Sequence, residues 1–129
     1  MRKGFFNVKK LTKKQEEIQT IIEQLKKNTE VLDALAETLN IKIFHIGYSL
    51  DEDYAVTAMC DIVSLDGKGI SNNIAVKFSL YDETDSLIGT SSTYLWAEKF
   101  KGFDTLEFYF NDDNIGLYVQ KARVFATYD

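Results

Sequence analysis

A chain of 129 residues with one histidine and one cysteine has few places to start a reaction. His45 is the only imidazole, so any acid–base triad or histidine-ligated metal has to be built around it. It falls in Ile41-Lys42-Ile43-Phe44-His45-Ile46, where a histidine is expected to be a hydrogen-bonded or partly exposed sheet residue. Cys60 cannot form an intrachain bridge or a zinc site alone. Its place in the alternation Tyr54, Val56, Ala58, Cys60, Ile62 marks it as a core thiol. Carboxylates come in three short runs: Asp51-Glu52-Asp53, Asp82-Glu83-Thr84-Asp85 and Asp112-Asp113. Such turns can gather Ca²⁺, which takes about six to eight oxygens, if two of them meet at one end of the fold. None has EF-hand spacing, and acidic turns are ordinarily solvated hairpin tips. A metal-assisted hydrolase using these turns with His45 is the one enzymatic reading open. No P-loop, GxGxxG, GxSxG or CxxC occurs, and Gly67-Lys68-Gly69 is a turn. No catalytic residue, cofactor site or metal set is expected, and the chain reads as a non-enzyme.

The elements that would hold these residues are legible from periodicity. Ile74, Val76, Phe78 and Leu80 lie two apart and share one face of an extended chain, with Lys77 and Ser79 on the other. The polar run Asp82 to Ser86 then turns the chain into a second alternating stretch, which is the pattern of a hairpin. Similar runs cover Ile41–Ile46, Tyr54–Leu65, Phe103–Phe110 and Leu117–Tyr128, joined by turns rich in Gly, Asp and Asn. Six or seven strands at this spacing describe an antiparallel β-sandwich over 41–129. The chain contains no proline, which removes one device for blunting edge strands.

Residues 11–40 follow a different period. Thr12 with Gln15 resembles a capping box, and no Gly or Pro interrupts the run before Asn40, a left-handed stop. From Ile18 through Ile22, Leu25, Thr29, Leu32, Ala36 and Leu39 the steps alternate four and three, a heptad seam weakened at Thr29. This predicts one helix about 40 Å long at 1.5 Å per residue. Two readings follow. The seam either self-associates as a coiled coil through Ile18, Ile22, Leu25, Leu32 and Leu39, or lies along the chain's own sheet. Ile21 and Leu35 widen the stripe to a breadth that suits a globular face or a bundle of more than two helices.

Charge is unevenly spread. Residues 1–14 hold Arg2, Lys3, Lys9, Lys10, Lys13 and Lys14 and no acid, so against a net charge of −5 the rest of the chain carries −11. An acidic body argues against direct nucleic-acid binding, which depends on clustered Lys and Arg. Residues 1–10 form a basic leader with too few apolar residues for a secretory signal, and no run approaches the roughly 20 apolar residues that span a bilayer. A soluble cytoplasmic protein is the expectation. Nine Phe, seven Tyr and one Trp include side chains that alternation sends outward, notably Tyr81 and Tyr109, and such residues favour protein interfaces. A carbohydrate-binding face of stacked aromatics is a further possibility.

Phe78-Ser79-Leu80-Tyr81-Asp82 resembles the signature of the FxLYD domain, an immunoglobulin-like bacterial β-sandwich family. The resemblance extends to the aspartate-led turn, the returning Leu87-Ile88-Gly89-Thr90, the Lys101-Gly102-Phe103 corner and the Ala122-Arg123-Val124 strand, over residues about 50–128. It implies an accessory module without catalysis, of a kind commonly attached to exported or membrane proteins, and transfers no catalytic residues.

The expectation is therefore an α+β chain, a long N-terminal helix followed by an antiparallel immunoglobulin-like β-sandwich. Its function is that of an interaction module that is a homo-oligomer through its helix and presents the sandwich to a protein partner. The alternative is a small acidic inhibitor or regulator that occupies a basic surface of a larger protein, such as one that processes nucleic acid.

Overall fold

The computed structural model describes residues 10–129; the basic leader, Lys10 apart, lies outside them. Helix α1 spans Lys13–Lys27. It begins as the capping box requires: the Thr12 N–H donates to Gln15 Oε1 at 2.9 Å, and the Gln15 N–H donates to the Thr12 hydroxyl at 3.1 Å. Two donors that the first turn leaves without helical partners are thereby satisfied.

The helix does not run on to Leu39. A short strand β1 (Thr29–Val31) and a second helix α2 (Asp33–Thr38) replace its expected second half. Asn28 and the β-branched Thr29 and Val31 are poor helix formers, and the Thr29 hydroxyl donates to the Leu25 carbonyl at 2.6 Å as the helix ends. An edge is also on offer, because β1 pairs parallel with strand β7 (Lys121–Tyr128), Thr29 opposite Ala122 and Val31 opposite Val124. Heptad spacing thus persists across a break where the helix does not. Asn40, at φ +63°, supplies the left-handed stop.

Five more strands follow: β2 (Ile41–Leu50), β3 (Val56–Ser64), β4 (Ile74–Tyr81), β5 (Leu87–Leu95) and β6 (Phe103–Phe110), with a one-turn helix α3 (Ile115–Tyr118) ahead of β7. They form a four-stranded sheet, order β1-β7-β4-β5, and a three-stranded sheet, order β2-β3-β6. Apart from β1 on β7, every pairing is antiparallel. The chain is α+β, an N-terminal helix followed by a β-sandwich. The four-stranded sheet owes its fourth strand to the parallel β1, and the closing strands β6 and β7 lie in different sheets.

The inner faces meet at Phe78 and Phe108, both fully buried, with ring centroids 4.6 Å apart and Tyr48 edge-on to Phe78 at 6.1 Å. Tyr48 donates its hydroxyl to Thr29 at 2.6 Å, which ties the end of α1 to the core. Burial pushes the Tyr48 phenol up to about 12. On one side of the sandwich β5 abuts β6, and the Thr93 hydroxyl donates to the Glu107 carbonyl at 2.6 Å. On the other, α1 and α2 pack between β2 and β7. Leu25 is 1% exposed and Leu39 8%, both inside the chain's own core. The edges are managed without proline: β1 is three residues long, and β2 is broken by a bulge between Phe44 and Gly47.

Candidate interaction surfaces

Three turns converge at one end of the sandwich. The Asn114 N–H donates to the Asp53 carbonyl at 2.7 Å and the Gly116 N–H to the Tyr54 carbonyl at 2.8 Å, which fastens α3 to the β2–β3 turn. A Cβ on Gly116 would lie 2.5 Å from Leu50 Cδ2 and 2.8 Å from the Tyr54 carbonyl oxygen, so only glycine permits this approach. The β4–β5 turn joins them, and Asp82, Asp112 and Asp113 rim a cleft of about 420 Å³ lined also by Ile88, Ile115 and Tyr118. Residues 51–53, 82–85 and 112–113 supply three, three and two carboxylates, and none of these turns holds a base. Among them, Asp85 pairs with Lys121. Tyr118 is 64% exposed, and Leu117 and Leu87 are also exposed nearby. The result is an acidic pole with apolar side chains set into it.

Local chemistry explains why the turns hold their shape. Asp82 Oδ1 accepts from the Thr84 N–H at 2.9 Å, the Thr84 hydroxyl at 2.7 Å and the Ser86 N–H at 3.0 Å. The Thr84 hydroxyl first, then the Ser86 N–H, holds its carboxyl below the usual carboxylate range. Asp51 organises its own turn likewise, accepting from Asp53 at 2.8 Å and Ala55 at 3.0 Å. These carboxylates serve as turn formers. Among the described residues, no group of three or more His, Cys, Asp or Glu is placed to hold a metal ion.

A second surface is the outer face of the three-stranded sheet, which no described element covers. Its centre is Asp61 on β3, which accepts from the Thr105 hydroxyl on β6 at 2.7 Å and contacts His45 Nδ1 on β2 at 2.8 Å. The Thr105 bond first, then His45, lowers the Asp61 carboxyl below its ordinary value. Thr105 donates to Asp61 and does not touch the imidazole, so the trio lacks the nucleophile-to-base bond that acyl transfer requires. His45 sits in the bulge with φ +52° and its side chain is mostly exposed. The Cys60 thiol, buried behind this sheet, is pushed up to about 12 by burial and gives no thiolate near neutrality.

The residues singled out from sequence are dispersed. Leu25 and Leu39 are consumed in the core, Ile22 packs partly against it, and Ile18 and Leu32 are half-buried on α1 and ahead of α2. A continuous helical seam is therefore not formed. Tyr81 faces outward from the four-stranded sheet with the Arg123 guanidinium 5.5 Å from its ring, and Tyr109 stands 55% exposed on the opposite face. Tyr94 and Trp96 stack at 5.2 Å. Leu117 and Tyr118 lie in α3, in an apolar run that reads as the start of the last strand. Asn114, at φ +68°, breaks that reading, and Asn in such a stretch was its only sequence signal.

No protein-family model matches the chain, and no curated protein does. Among solved structures, the crystal structure of a DUF1425 family member from Shewanella sp. pv-4 is similar over 69% of this chain and 78% of that one, with 11% identity and a TM-score of 0.47. No described helix is long and apolar enough to cross a membrane.

Proposed function

We propose that the chain is a non-enzymatic protein-interaction module whose acidic pole occupies a basic surface of a protein partner. The observation that supports this most is the convergence of three acidic turns at one end of the sandwich, two of which rim the cleft of Ile88, Ile115 and Tyr118. Carboxylates alone would be a solvated end. Carboxylates around a half-buried Ile88 and an exposed Tyr118 match the stem and head group of lysine and arginine, with the methylenes on Ile88 and the cation between aspartates or over the Tyr118 ring. The −11 carried outside residues 1–14 adds long-range attraction to the same partner. The FxLYD-type resemblance, which rests on its motif, agrees with an accessory module.

Capture from source cells on the immobilised full chain tests the reading. A partner should be retained at about 50 mM salt, released by about 500 mM as screening shortens the reach of the charges, and lost from the Asp53→Asn/Asp112→Asn/Asp113→Asn chain. Retention that ignores both salt and the triple substitution would rule the reading out.

A further inference from the structure

We propose that residues 1–9 dock on the acidic pole of their own chain, with Phe5, Phe6 and Val8 toward the cleft of Ile88, Ile115 and Tyr118 and with Arg2, Lys3 and Lys9 toward Asp82, Asp112 and Asp113. The inference rests on the reading of the pole as an acceptor of basic segments. It adds that the chain carries its own competitor for that surface, which a partner must displace.

The place from which the segment departs is set by α1, whose first turns lie against the pole. The Tyr54 hydroxyl donates to Glu17 Oε1 at 2.5 Å, and Lys14 Nζ stands 5.1 Å from the centre of the Tyr54 ring. A groove of about 600 Å³ is lined there by Lys13, Lys14, Glu17 and Tyr54. Tyr54 closes the β2–β3 turn, and that turn accepts the Asn114 N–H through the Asp53 carbonyl. Asp112 and Asp113, on the rim of the cleft, come directly before Asn114 in the chain. The segment therefore joins α1 beside the cleft. Nine residues span at most about 30 Å when extended, which brings the whole cleft within reach.

Charge and side-chain type select this occupant. Residues 1–9 hold three cations and no acid, with Phe5, Phe6 and Val8 between them. The pole presents carboxylates from three turns, with Leu87 and Tyr118 exposed and Ile88 half-buried among them. Each kind of side chain on the segment has its counterpart on the pole. The described end of the same basic stretch already makes such a contact, Lys14 over Tyr54. Lys13 and Lys14 also sit in the first turn of α1, where the helix dipole disfavours cations, and a facing carboxylate surface offsets that disadvantage. Tethering favours the chain's own segment over a second copy, because a short flexible link holds it near the cleft at an effective concentration on the order of millimolar.

Paramagnetic broadening on the full chain tests the proposal. A nitroxide on Asn7→Cys, with Cys60 left in place because it is buried, should lower the amide peaks of Ile88, Ile115 and Tyr118 at least about twofold at about 50 mM salt, and the loss should fade by about 500 mM as screening sets in. Asn72 and Lys101, at the far end of the sandwich, should keep their peak heights. Phe5→Ser/Phe6→Ser and, separately, Asp112→Asn/Asp113→Asn should each restore the cleft peaks. A mixture of nitroxide-bearing chain without ¹⁵N and ¹⁵N chain without nitroxide should show no loss, since the contact lies within one chain. Undiminished peaks at the cleft would overturn the proposal, as would a loss that ignores salt and both double substitutions and so reports only a tethered tail, or a loss in the mixture, which would put a second copy there. No partner is present in this measurement, so its failure leaves salt-sensitive capture of a partner intact, whereas a docked segment with no capture would mark the pole as an internal clasp.

Discussion

Asp82 shows how one side chain serves the architecture before it serves any ligand. Its Oδ1 closes the β4–β5 turn with three hydrogen bonds, and the fold therefore binds that carboxyl's proton more weakly than the unfolded chain does. A carboxyl depressed in this way stabilises the fold above the ordinary range near about 4 and ceases to do so as pH falls through its lowered folded value. Asp61, bonded by Thr105 and His45, has the same sign. Asp82→Ala should accordingly lower the melting temperature at neutral pH, and the gap from the native chain should narrow as pH falls below the ordinary carboxylate range. A gap unchanged across that range would mean that the turn does not depend on the ionised carboxylate. The Asp of the Phe78-to-Asp82 motif is thus a structural residue, while Phe78 and Leu80 of the same motif are fully buried in the core.

At the scale of elements, α1 and α2 act as a lid on the open side of the sandwich. Leu25→Ala should cost about 2–5 kcal/mol in denaturant unfolding, as large-to-small changes at closed core sites do, with the solution mass of the folded chain unaltered. A Leu25→Ala chain that keeps its stability but changes its mass would instead restore a seam between helices. Most of the strands were legible beforehand, because alternation and turn residues act locally: Ile74 to Leu80 on one face, Asp82 to Ser86 as the turn, Asn40 as the stop. The length of the helix is not legible in the sequence, because spacing alone cannot distinguish one amphipathic helix from two short elements that bury the same stripe. The deciding fact, an open edge on β7 for Thr29–Val31, is a long-range pairing. The sites were less legible still. That Asp53, Asp82 and Asp112 share one end, and that His45 reaches Asp61 and Thr105 lies on the same face, depend on contacts between residues far apart in the chain.

Among the described residues, two exposed regions stand out, an acidic pole with a part-apolar cleft and the uncovered outer face of the three-stranded sheet. Hydrogen exchange on the full chain, alone and with the partner recovered from source cells, tests partner binding at the pole most directly. Protection that rises over residues 82–88 and 112–118 is the expected result. Unchanged exchange at the pole, with slowing confined to residues 18–39 or to the Tyr94–Trp96 end of the four-stranded sheet, would contradict it.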